Sequence, residues 1–172
     1  MDATADELAG VVDLFGGLTR SELERALAEA AFRADGASVD EDALEAAVDR
    51  ALDSFALVAY EPSGRDGRVN ATASATTDGG DETLLVAGPT AFPTVPDHAE
   101  DVPHILDVEP RRLDREALGE TVRGEFADAA DDALDAGDAE RIETLLDVSY
   151  DLEAWAPVEL DDERTRLDAA LE

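Results

Sequence analysis

The sequence predicts an α+β, mostly helical fold: a three-helix unit with a β-hairpin, followed by a C-terminal helical part. Three observations predict it. Apolar residues recur at i, i+3, i+4 and i+7 through most of the chain, the spacing of amphipathic helices. Two short runs, 56–60 (ALVAY) and 83–88 (TLLVAG), are apolar and too short for further helices, so they read as strands. Gly-Gly, Asp-Gly and Gly-Asp breaks separate these stretches. Two domains follow, 1–96 and 97–172, the second expected to pack against the first with the segment 83–96 passing between them.

The first helix is expected over about 5–16, with Leu8, Val11, Val12 and Phe15 on one face; Gly16-Gly17 stops it. No strand is evident between it and the second helix. Thr19 opens that second helix, and Glu22 three residues on completes a capping box. Leu23, Leu27, Ala30 and Ala31 form its buried stripe, and Asp35-Gly36 ends it. Asp40 caps the third helix, whose face is Leu44, Ala47, Val48, Ala51, Leu52 and Phe55. Leu44, Val48, Leu52 and Phe55 are expected to bury together against Leu23 and Leu27.

Between the two strands lies a stretch rich in Gly, Ser, Thr and Ala, residues 63–81. It reads either as a long hairpin with a flexible tip or as a disordered loop. After the return strand, 97–107 is a connector with one short helical turn. A long helix follows over 114–136, carrying Leu118, Val122 and Phe126 inward; Gly119 and Gly124 each weaken it by about 1 kcal/mol relative to Ala. Asp138 caps a shorter helix with Ile142, Leu145 and Leu146. Residues 150–157 read as irregular, with Trp155 as a packing anchor, and 161–172 as a last helix with Leu167 and Leu171 inward.

The charge is extreme: 44 Asp and Glu against 13 basic residues, net -31, and every basic residue is Arg. Such a surface repels itself at low salt. At molar salt the Debye length falls to about 3 Å and the repulsion is screened. The composition resembles that of cytoplasmic proteins from salt-in halophilic archaea, so the acidity reads as an adaptation to solvent before it reads as a statement about partners. There is no Cys, which excludes disulfides and thiolate chemistry. The first residues, MDATAD, lack the basic and apolar regions of a signal peptide, and no run has the length of a membrane span. A cytoplasmic protein without a membrane partner is expected.

The order helix, helix, helix, strand, long loop, strand is that of a winged helix-turn-helix. The phrase LFGGLTRSEL resembles its helix-turn-helix, and AAVDRALDSFALVAY resembles a third helix running into the wing. The resemblance covers about half the chain, from Asp6 to Pro93. Taken whole, the chain looks like a haloarchaeal family of unknown function, a resemblance that carries no activity and no site.

A winged helix implies DNA, read by the third helix in the major groove. Its outward residues here are Glu41, Asp42, Glu45, Asp49 and Asp53, with Arg50 the only base, and phosphate contacts need positive charge. Arg65 and Arg68 lie in the wing loop, the least acidic polar stretch, and are the other candidates for nucleic-acid contact. Arg111, Arg112 and Arg115 cluster at a helix start, where cations are unfavourable; Asp107, Glu109, Asp114 and Glu116 suffice to pair them. His98 and His104 stand among acids, but their spacing matches no compact zinc motif, and no metal is expected.

From Thr83 to Pro96 only uncharged residues occur, in a chain that is one-third charged. Either the segment crosses the core, or Pro89, Phe92, Pro93 and Val95 form a partner surface. Nucleophile elbow, phosphate-binding glycine loop and HExxH are all missing from the sequence, so no enzyme and no cofactor is expected. The expectation is an interaction or adaptor protein with a protein partner. The alternative is a DNA-binding transcriptional regulator using the wing arginines, with a homodimer as its natural assembly.

Overall fold

The computed structural model describes residues 3–36, 38–62, 83–97 and 99–172. Over these residues the fold is α+β and mostly helical, with a small three-stranded antiparallel sheet. It divides into two compact units, 1–113 and 114–172.

In the first unit, α1 (Ala5–Phe15) is capped by Thr4 in a full capping box with Glu7 and ends at Gly16 in the left-handed conformation. The strand β1 (Leu18–Thr19) follows at once. It went unseen in the sequence because two residues leave no periodicity. Thr19 is both its last residue and the N-cap of α2 (Arg20–Asp35), with Glu22 closing the expected capping box. Such caps contribute about 1 kcal/mol. Asp40 caps α3 (Glu41–Asp53), and β2 (Leu57–Tyr60) and β3 (Leu84–Ala87) form the antiparallel pair. The sheet order is β1-β3-β2, so β3 is central, with Leu18 opposite Leu85 and Thr19 opposite Leu84.

The core of this unit collects Leu8, Val12, Phe15, Leu23, Leu27, Leu44 and Val48, each at least nine-tenths buried. Two members of the expected cluster differ. Leu52 is only half-buried at the edge of the core, because its position on α3 turns it toward the rim. Phe55 is buried but lies beyond the helix, in a left-handed backbone conformation with its N–H bonded to the Leu52 carbonyl.

Residues 97–113 fall within this first compact unit. Ala99 and Val102, the latter opening the short helix α4 (Val102–Ile105), are buried in its core, and Val108 packs partly against it.

The second unit is three helices, α5 (Arg115–Ala136), α6 (Ala139–Trp155) and α7 (Asp161–Leu171), each packed on the other two. Asp114 and Asp138 cap the first two through their side chains. Phe126, Ile142, Leu145, Leu152, Leu160 and Leu167 are its buried centre. The segment 150–157, expected to be irregular, is helical through Trp155. Val148 and Leu152 continue the stripe of Ile142 and Leu145, and packing of that stripe decides over the weak propensities of Ser149, Tyr150 and Asp151. Leu171 faces outward at 37% exposure, one residue from the terminus, rather than inward.

Candidate functional site

The outward face of α3 is as acidic as the sequence suggested: Glu41, Asp42, Glu45, Asp49 and Asp53 are all exposed, with Arg50 among them. Local physics accounts for much of the pattern. Glu41 and Asp42 sit in the first turn and Arg50 in the last, matching the helix dipole at both ends. Asp49 accepts a bond from Arg20 Nη2 of α2 at 3.2 Å, so one carboxylate of this face is spent on a surface ion pair. Arg65 and Arg68 lie outside the described residues.

The uncharged segment 83–96 divides into two parts, one buried and one largely exposed. Leu84, Leu85 and Val86 are buried in the central strand. Beyond Gly88 the chain runs along the start of α1 and turns outward. Pro89 is half-buried, Pro93 is exposed, Val95 is 36% exposed and Phe92 is 80% exposed. The Phe92 N–H donates to the Asp6 carboxylate at 3.1 Å, and the Thr94 N–H to the Asp6 carbonyl at 3.0 Å. Thr94 Oγ1 donates to the Phe92 carbonyl at 3.1 Å, and Thr90 Oγ1 to the Ser54 carbonyl at 2.8 Å.

Asp6 was missed in the sequence reading. It looks like an ordinary first-turn acid, and no local signal joins it to a partner 86 positions away.

The arginine cluster at 111–115 is held apart by different contacts. Arg111 forks onto Glu22, Nη1 to Oε2 at 2.8 Å and Nη2 to Oε1 at 2.9 Å, rather than onto the neighbouring acids. Burial pushes the Glu22 carboxyl upward; bonds from Arg111 and from the Thr19 N–H, with the Arg111 charge, outweigh it and hold the group below its ordinary range. In the second unit the Arg115 guanidinium lies over the Trp155 ring, 4.8 Å from its centroid, a cation–π contact. Arg112 is exposed.

His104 is exposed in α4, and His98 lies outside the described residues. Among the described residues no three His, Asp or Glu side chains stand together as a metal site. No helix among them is long and apolar enough to cross a membrane.

The chain thus presents an α+β scaffold with a braced apolar ridge on one surface and an acidic helix face on another. It belongs to a family of unknown function, DUF7109, whose model matches residues 6–172. No curated protein and no solved structure matches it.

Proposed function

We propose that this is a non-enzymatic interaction or adaptor protein, working in the cytoplasm of a halophile on a winged-helix scaffold. Support for the scaffold comes from the order α1–β1–α2–α3–β2–β3 and from the central place of β3 between β1 and β2. The net charge of -31 without any Lys supports the saline setting.

One observation carries the interaction reading: Phe92, 80% exposed on a backbone already fixed by Asp6. Interfaces draw most of their energy from a few aromatic or Arg anchors. Docking a side chain whose backbone is already ordered loses little further entropy. Pro89, Pro93 and Val95 extend the uncharged surface around it.

The scaffold also favours a second reading, a DNA-binding transcriptional regulator contacting DNA through Arg50, Arg65 and Arg68. The acidic outward face of α3 opposes it, since phosphate neutralisation supplies much of DNA affinity.

Site-specific photo-crosslinking in a halophilic host separates the two. A photoreactive residue at position 92 is expected to give discrete protein adducts that survive nuclease, while one at position 50 gives none. Nuclease-sensitive adducts from position 50, with none from position 92, would promote the regulator. Absence of any adduct from position 92 would overturn the interaction reading.

A further inference from the structure

Residues 108–113 form a strap across the turn between α1 and α2, and one carboxylate both fastens this strap and caps α2. Glu22 Oε2 accepts the Thr19 N–H at 2.9 Å and Arg111 Nη1 at 2.8 Å; Oε1 accepts Arg111 Nη2 at 2.9 Å. Arg111 Nη1 also donates to the Gly17 carbonyl at 2.8 Å, and the Arg111 N–H to the Phe15 carbonyl at 2.6 Å. The Glu22 N–H in turn donates to Thr19 Oγ1 at 3.2 Å. The backbones lie close: a Cβ at Gly16 would stand 2.0 Å from the Arg111 carbonyl oxygen.

In an ordinary capping box the Glu side chain serves only its own N-cap N–H. Here the same carboxylate holds a guanidinium 89 positions along the chain. Both side chains are about four-fifths buried, so water and salt screen the pair weakly. Once Arg111 leaves, Glu22 is a partly buried charge without its partner, which is costly. It relaxes by swinging to water, and the Thr19 N–H then loses its acceptor. The reverse also holds, since fraying at the start of α2 carries away the acceptor of Arg111.

We propose that the strap and the start of α2 open and close as one event, with the Glu22 carboxylate as the shared latch. Loss of the Arg111 contact then uncaps α2 and loosens β1, whose last residue is the N-cap Thr19.

Amide hydrogen exchange on the full chain at molar KCl tests this. Arg111→Ala is expected to speed exchange at Thr19 and Glu22 by about tenfold or more, the scale of a lost charge-assisted pair. Val48 and Ala51, inside α3, should keep their rates. Thr19→Ala removes the acceptor of the Glu22 N–H and frays the start of α2, so the Arg111 amide should exchange faster as well. Three results would overturn the proposal: Arg111→Ala speeding only the strap, Val48 and Ala51 accelerating equally through global opening, or an unchanged Arg111 amide in Thr19→Ala.

Discussion

In the first unit three glycines sit directly against backbone, whereas the one tightly packed glycine of the second sits against side-chain atoms. A Cβ at Gly10 would meet the Thr94 carbonyl oxygen at 2.2 Å, and one at Gly88 the Phe55 carbonyl oxygen at 2.2 Å. In the second unit a Cβ at Gly119 meets the Ala156 Cβ at 2.9 Å, which moves only with its backbone, and Val158 Cγ1 at 3.1 Å. Charge divides them as well. Residues 114–172 carry 20 acids and 5 Arg, a net of -15; the much longer stretch 1–113 carries 24 and 8, a net of -16. The second unit therefore has about twice the charge per residue and only a three-helix core against it. The first is constrained by shape, the second by solvent.

Salt withdrawal should expose that difference most strongly. Between molar and about 0.1 M KCl the Debye length grows from about 3 to about 10 Å, and self-repulsion returns. The second unit should unfold first. Trp155, the only Trp, reports on it directly. Its emission is expected to shift to the red at a higher KCl concentration than the one at which α1–α3 amides lose protection. Coincident loss would mean that charge density does not set the order, and stability unchanged over the whole range would remove the saline reading.

The next largest effect lies in the first unit. Gly10→Ala places a methyl inside van der Waals contact with the fixed backbone of Thr94, and α1 cannot move away without opening the core around Leu8 and Val12. Overpacking of this kind costs about 3 kcal/mol or more. Denaturant titration should show it as a lower midpoint with an unchanged slope. A cost below about 1 kcal/mol would mean that the ridge backbone at 92–94 is easily displaced, and with it the bracing of Phe92.

Local signals were legible in the sequence and distant ones were not. Thr19 with Glu22, Asp40 and Asp138 were recognisable as caps, because a cap and its target lie within three residues. The apolar stripes gave every long helix. The strand β1 escaped because it exists only through pairing with Leu84 and Leu85. The continuation of α6 past Tyr150 escaped because burial of Leu152 overrides propensity. At the candidate surfaces, the acidity of α3 and the uncharged run to Pro96 could be read directly. The grip of Asp6 on Phe92 and of Glu22 on Arg111 could not, since both join residues more than 80 positions apart.

A pH titration sharpens the contrast with a smaller effect. The Glu22 carboxyl is held below its ordinary value of 4.5 in the folded state. A depressed carboxylate contributes stability that is fully present above its unfolded pKa and lost as pH falls through its folded one. Glu22→Gln should therefore be less stable than the parent at neutral pH, and the gap should close as pH falls from about 4.5 through the lower folded value. In the second unit the sign is opposite at Glu125, whose carboxyl is pushed up by partial desolvation and by Asp128, although the residue as a whole stays exposed. Acid relieves that repulsion. Glu125→Gln should thus be no less stable than the parent at neutral pH, and a gap that widened on acidification at Glu22 would contradict the latch.

The smallest effect separates two glycines that look alike in sequence. Gly119 and Gly124 both interrupt α5, and each should cost about 1 kcal/mol relative to Ala on propensity alone. Their surroundings differ. A Cβ at Gly124 meets nothing within 4 Å, and the residue is exposed, so Gly124→Ala gains helix propensity and restricts the unfolded chain at no steric cost. Thermal unfolding should show a stabilisation of about 0.5–1 kcal/mol. At Gly119 the added methyl presses on Val158, which must yield by a few tenths of an ångström, and on the Ala156 Cβ, which yields only if its backbone shifts. That strain offsets the propensity gain, and Gly119→Ala should be neutral or destabilising by about 1 kcal/mol. Equal stabilisation at both sites would show that α5 has slack where it faces Ala156, so that the second unit packs more loosely than its buried centre implies. Destabilisation at Gly124 would instead show that the residue is not as open as its surroundings make it.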